Sequence, residues 1–180
     1  MCGRYEFNLK DDNTSKQIKQ RAEKLNLIYK QGEIFPNDDV LCIIPYETKI
    51  DLSVMKWGIK SKAFQINARL DTINDKTTYD EFKNNRCAVI CNGFYEWDKD
   101  KNKYLISIDD SLIYLACIFN NKHELLIITK SANDDFKHIH DRMPIIMNKD
   151  EMLKFIHNQD FTFSNKQLII ENVDDNIKLF

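Results

Sequence analysis

Arginine, glycine, proline and tryptophan are scarce in this chain: 180 residues hold five, four, three and two of them. Basic excess is absent too, since the formal net charge is −2. A nucleic-acid partner would therefore have to be held by a local patch and not by a global field. No apolar run reaches the length of a membrane span, and the N-terminus turns polar within a few residues, which predicts neither a membrane segment nor a signal peptide. The five cysteines (Cys2, Cys42, Cys87, Cys91, Cys117) are odd in number and form no CxxC pair. That argues against a disulfide framework and against zinc, and predicts reduced thiols in a cytoplasmic protein with no metal and no cofactor. A hydrophobic fraction of 43% and a charged fraction of 30% fit one globular domain over residues 1–180.

What abounds is Lys, Asn, Ile and Asp. This bias is expected of an A+T-rich genome, host or phage, where residues needing G+C-rich codons persist mainly where something requires them. The scarce residues therefore act as a filter. Apart from Arg21, every arginine falls in one of five stretches: Met1-Cys2-Gly3-Arg4, Met55-Lys56-Trp57-Gly58, Ile66-Asn67-Ala68-Arg69, Arg86-Cys87 through Gly93-Phe94-Tyr95-Glu96-Trp97, and His140-Asp141-Arg142-Met143-Pro144. Both tryptophans and three of the four glycines share them. The clustering predicts one composite site. Guanidinium forks beside aromatic rings suit a single-stranded nucleic-acid groove, although internal ion pairs with Asp71, Glu81 or Asp141 are the competing use of each arginine.

Periodicity predicts an α+β fold, mostly antiparallel, with a barrel-like curved sheet and two or three flanking helices. Helical spacing runs from Thr14 to Lys30, capped by Asn13 or Thr14 and closed at Gly32. Short helices are also expected over Thr78–Asn84 and Lys149–His157. Alternating or apolar runs predict strands at Val40–Ile44, Leu52–Gly58, Ala63–Arg69, Arg86–Tyr95 (broken at Asn92-Gly93), Leu125–Thr129, Met143–Met147 and Leu168–Ile170. Tyr104–Ile108 and Leu112–Phe119 read as a hairpin through Asp109-Asp110-Ser111.

Cys2 is one cleavage from being an N-terminal cysteine. Loss of Met1 would leave an α-amine and a thiol on one residue, with ordinary pKa values of about 7.7–8.0 and about 8.5. Together they trap an aldehyde: the amine forms a Schiff base and the thiol closes a thiazolidine. The competing reading is that residue 2 is an arbitrary residue next to the initiator methionine.

The five stretches, in this order, resemble the SOS-response-associated peptidase (SRAP) family, whose proteins crosslink to abasic sites in single-stranded DNA. The resemblance spans Cys2 to Pro144. It implies that Cys2 is the nucleophile after Met1 removal, that Glu96 and His140 move protons and that Asn67 orients the amine or sugar. It assigns Arg4, Trp57, Arg69, Arg86 and Arg142 to the DNA. It also implies a monomer acting in DNA damage repair, with lyase-type chemistry on the same Schiff base. Two other uses stay open: a cysteine peptidase with Cys2 as nucleophile and His140 as base, and a non-catalytic single-strand DNA binder. His138 and His140 are a possible metal pair, with no further ligand cluster in support. The chain departs from the family in a compressed Ile59–Ile66 segment, in Phe35-Pro36-Asn37-Asp38, in Ile90 for a proline and in Lys130 for a threonine.

Overall fold

The computed structural model describes residues 2–61, 63–109, 112–160 and 162–173. In chain order the strands are β1 Arg4–Phe7, β2 Gly32–Ile34, β3 Asp39–Tyr46, β4 Lys49–Trp57, β5 Ile59–Lys60, β6 Phe64–Gln65, β7 Asn67–Arg69, β8 Arg86–Cys91, β9 Gly93–Trp97 and β10 Lys103–Ser107. Then come β11 Ile113–Phe119, β12 Glu124–Ser131, β13 Arg142–Pro144, β14 Ile146–Met147 and β15 Ile169–Asn172. Helix α1 is Asn13–Lys24 and α2 is Lys149–Ile156. The α+β class and the curved, mainly antiparallel sheet expected from the pattern are what the chain forms.

One sheet has the order β15-β10-β9-β1-β2. A larger one runs β13-β12-β4-β3-β8-β11-β14, and pairing of β12 with β11 closes β12, β4, β3, β8 and β11 into a ring. β7 lies parallel to β12 outside that ring. One face of the ring's strands carries Val40, Cys42, Met55, Trp57, Cys87, Val89, Leu115 and Cys117, all within 2% of full burial. Every cysteine is a buried free thiol. Among the described residues no group of His, Cys, Asp or Glu is placed to hold a metal, and no helix is long and apolar enough to cross a membrane.

Several elements end elsewhere than the pattern suggests. Helix α1 stops six residues early, because Asn26 takes φ 52° and the Leu27 amide bonds back to the Ala22 carbonyl at 3.0 Å. Ile28, inside the expected helical span, is consequently 89% exposed. Its N-cap is Asp12, whose carboxylate accepts from the Ser15 amide at 2.9 Å. Gly32, with φ 83°, opens β2 instead of closing the helix. β3 runs through Pro45 to Tyr46, where it pairs with Ile50 and Lys49 at the start of β4 across the hairpin turn. Tyr104–Ile108 and Leu112–Phe119 are not a hairpin: β10 pairs with β9 and β15, while β11 joins the ring. Asp110 and Ser111 of that connection lie outside the described residues. The Ala63–Arg69 run splits into β6 and β7, and Thr78–Asn84 gives only a 3-10 turn and bends.

Helix α2 carries a capping box: Asn148 and Glu151 exchange side-chain-to-amide bonds at 2.9 Å. Burial alone would raise the Glu151 carboxyl, but Lys166 at 2.6 Å and Ser164, through hydroxyl and amide at 2.7 Å, lower it from 4.5 to about 2. A carboxyl depressed in the folded state stabilises above its unfolded pKa, and that contribution disappears as pH falls from near 4.5 towards 2. Glu151→Gln is expected to cost about 2–3 kcal/mol at pH 7, with Lys166 left paired to no carboxylate. The cost should shrink to near zero by about pH 2 in thermal melts across that range.

Candidate functional site

Cys2 enters the molecule just ahead of β1, the strand flanked by β2 and β9. It has no exposed surface. Its backbone carbonyl accepts a hydrogen bond from Asn67 Nδ2 at 2.9 Å. That bond joins residues 65 positions apart and ties the start of the smaller sheet to β7, which pairs with β12 of the ring. With Nδ2 committed, Asn67 Oδ1 is a buried acceptor without a hydrogen-bond partner among the described residues. An amide oxygen left in that state is costly unless a donor is delivered to it.

Strand alternation sets the next residue. On β9, Phe94 and Glu96 face the core, whereas Tyr95 and Trp97 face outward. Glu96 is 6% exposed and accepts weakly from the Trp97 amide at 3.4 Å. Burial pushes the Cys2 thiol well above its ordinary range, and the nearby Glu96 charge pushes it further. The thiolate is thus disfavoured in the intact chain, and Glu96 is close enough to Cys2 to sense its proton.

His140 ends the turns at residues 134–139 that link β12 to β13. Phe136 of those turns packs on Phe94 at 5.7 Å, which places the loop against the core face of β9. The Arg142 amide donates to His140 Nδ1 at 3.0 Å, so in the neutral ring the proton sits on Nε2, ready to be donated.

The arginines divide. Arg69 Nη2 and Arg142 Nη2 converge on Asp71 at 2.7 and 3.0 Å. Hydrogen bonding from Arg69, then the Arg142 charge, holds the exposed Asp71 carboxyl down to about 2. Arg142 is largely buried and also donates to the Thr129 carbonyl at 2.8 Å, fastening β13 to β12 beside β7. Arg4 lies on the outer face of the smaller sheet, paired with Glu33 at 3.2 Å and stacked near Phe35 and Trp97. Arg86 is at the far end of β8, over the Phe155 ring of α2 at 5.0 Å. Trp57 is fully buried; its Nε1 donates to the Ile66 carbonyl at 3.0 Å and its ring meets Tyr5 at 5.3 Å. A base therefore has no Trp57 surface to stack on.

The structure thus gathers Cys2, Asn67 and Glu96, brings the His140 loop to the strand that carries Glu96, and leaves Arg86 and Trp57 in structural roles. Sequence reasoning missed Glu33, Phe35, Phe64 and Lys103. Phe64 is 51% exposed and covers Gly58, where a Cβ would collide with the ring. Only Phe35 and Phe64 carried a visible signal, as aromatic residues inside the two segments where the chain departs from the resembled pattern.

The family model described as SOS response associated peptidase (SRAP) matches residues 1–179. Abasic site processing protein YoaM of Bacillus subtilis is 25% identical over 185 residues, covering 87% of this chain and 79% of that protein. Abasic site processing protein HMCES of Xenopus tropicalis is 30% identical over 146 residues, covering 57% of this chain and 44% of its own. Among solved structures, a Bordetella bronchiseptica protein superposes with TM-score 0.72 at 15% identity, covering 96% of this chain and 99% of the other. At that identity the likeness concerns the fold.

Proposed function

From its membership of the SOS response associated peptidase (SRAP) family, to which this chain belongs, we infer that the protein processes abasic sites in single-stranded DNA by covalent capture on Cys2. The observation that carries the reading is the 2.9 Å bond from Asn67 to the Cys2 carbonyl. It fixes the backbone of the residue whose α-amine would be freed by excision of Met1. Asn67 Oδ1, lacking a donor, is then the acceptor that orients this amine, and the relatives' shared name supplies the aldehyde-bearing substrate.

The steps follow from groups in place. The ring-opened sugar offers an aldehyde. The α-nitrogen bonds to its carbon, and the aldehyde oxygen leaves as water once protonated, giving a Schiff base. Glu96 and His140 Nε2–H are the proton carriers for this loss. The thiol then adds to the same carbon. Its proton, leaving through neighbouring Glu96, ends on the nitrogen, and a five-membered thiazolidine closes. Loss of a C2′ proton from the Schiff base to the same groups would instead form a C2′=C3′ double bond and expel the 3′-phosphate, breaking the strand, the lyase branch.

A raised thiol pKa also weighs between the uses of Cys2. A cysteine peptidase requires a thiolate poised near neutral pH, and burial beside Glu96 produces the opposite. An amine-first order needs no thiolate. Incubation of the Met1-free protein with a single-stranded oligonucleotide carrying one abasic site should yield a slow band on a denaturing gel that survives mild base. Asn67→Ala is expected to form that band about 10-fold or more slowly, as misoriented nucleophiles do. Absence of any covalent band from the wild-type protein would overturn the reading.

A further inference from the structure

The chain reaches Asn67 along an arm with little hold on itself. Strands β5 and β6 have two residues each and, among the described residues, pair only with each other. Elements so short have little stability of their own. Yet Asn67 Nδ2 meets the Cys2 carbonyl at 2.9 Å. Two buried aromatic donors grip the arm just before Asn67. Trp57 Nε1 donates to the Ile66 carbonyl at 3.0 Å, and the Ile127 amide of β12 donates to the same oxygen at 3.2 Å. That carbonyl shares one planar peptide unit with the Asn67 nitrogen, so fixing it fixes the plane from which Asn67 departs. One residue earlier, the Tyr79 hydroxyl donates to Gln65 Oε1 at 2.7 Å. Both donors are themselves held. The Trp57 amide donates to the Asp38 carbonyl at 3.0 Å, and the Trp57 carbonyl accepts from the Asn37 amide at 2.7 Å. Tyr79 packs edge-on against Phe82, with ring centroids 5.8 Å apart.

We propose that Trp57 and Tyr79 are positioning residues for the capture reaction, a clamp that sets the Asn67 amide on the Cys2 backbone. The inference rests on the abasic-site reading for the reaction that the clamp serves. The Trp57 indole also meets the Tyr5 ring at 5.3 Å, and Tyr5 lies on β1 three residues after Cys2. One buried ring therefore touches both arms, the one that carries Cys2 and the one that carries Asn67. Neither clamp residue is a surface for DNA, since Trp57 has no exposed area and Tyr79 only 2%. What they supply is precision: a misplacement of about 1 Å, caused by a change away from the chemistry, can cost about 100-fold in rate. Two donors on successive residues, Gln65 and Ile66, leave Asn67 little freedom to drift from the Cys2 carbonyl.

The test follows formation of the covalent band by the Met1-free protein at saturating single-stranded abasic oligonucleotide. Trp57→Phe removes the donor but keeps a ring against Tyr5, and should slow the band roughly 3- to 10-fold. Tyr79→Phe removes only the hydroxyl and should slow it roughly twofold. The DNA concentration giving half the maximal rate should stay where it is in both, because a binding group has not been touched. In an Asn67→Ala background neither change should cost anything further, since the group that they position is gone. Met152→Ala on α2 should lower the melting temperature and leave the rate unchanged. A direct readout is exchange of the Asn67 side-chain amide protons with deuterium by NMR, slow in wild type and faster in both clamp variants. Unchanged rates in both clamp variants, losses that add in full to that of Asn67→Ala, or equal slowing by Met152→Ala overturns the clamp. If Trp57→Phe does not fold, Tyr79→Phe and its double variant with Asn67→Ala decide alone. Lack of a covalent band from wild type overturns the abasic-site reading instead. Amide exchange then decides the clamp by itself, and equal exchange in wild type and variants overturns it.

Discussion

Cys2→Ala is expected to abolish the base-resistant DNA adduct while leaving a transient Schiff base that borohydride can trap. Alanine at position 2 still yields an α-amine when Met1 is removed, so the first bond to the aldehyde carbon can form. What it lacks is the sulfur that closes the ring and removes the imine from equilibrium with water. The covalent band should therefore fall from the major product to undetectable without reductant, and return in part when reductant is present at the time of mixing. Strand cleavage from the longer-lived imine should rise at the same time. A base-resistant band of wild-type intensity from Cys2→Ala would mean that another nucleophile does the work. Lack of a trapped band as well would mean that the amine at residue 2 is never presented, which retention of Met1, visible as intact mass, would explain.

The candidate site around Cys2 was partly legible in the sequence because some of its parts use residues that this composition spends sparingly. Gly93-Phe94-Tyr95-Glu96-Trp97 is the clearest case: strand alternation alone places Glu96 and Phe94 on one side and Tyr95 and Trp97 on the other, as in the fold. The same filter is blind to lysine. Lys103 braces the outer face beside Trp97, but in a chain crowded with lysines nothing sets it apart. Rarity also does not distinguish a ligand surface from a core. Trp57 is scarce because it fills the ring and ties down the Ile66 carbonyl, not because it meets a base. Arg86 serves α2 in a similar way. Errors in the elements share one cause: local pattern carries no information on partners. Leu25–Lys30 keeps a helical period although Asn26 turns the chain away, and Leu112–Phe119 looks like the return strand of a hairpin although its hydrogen bonds go to β8, β12 and β14.

Glu96→Gln separates proton transfer from shape. Glutamine keeps the size and an oxygen able to accept from the Trp97 amide, which now donates at 3.4 Å. It cannot deliver a proton to the departing oxygen or take one from the thiol. Crosslink formation at saturating DNA should slow by roughly 10²–10⁴-fold, the range for loss of a positioned general acid or base. The DNA concentration giving half the maximal rate should move much less, since Glu96 faces the core and is only 6% exposed. A second readout has a definite sign. The Glu96 charge raises the Cys2 thiol, so its removal lowers that pKa, and alkylation of Cys2 followed by mass spectrometry should begin at a lower pH than in wild type. Burial remains, so the thiol stays above its ordinary range. A large rate loss together with a downward shift in thiol titration assigns Glu96 to proton transfer at Cys2. An unchanged rate with the shift present would leave His140 as the sole proton carrier, and a rate loss without the shift would mean that Glu96 acts on the sugar and not on the thiol.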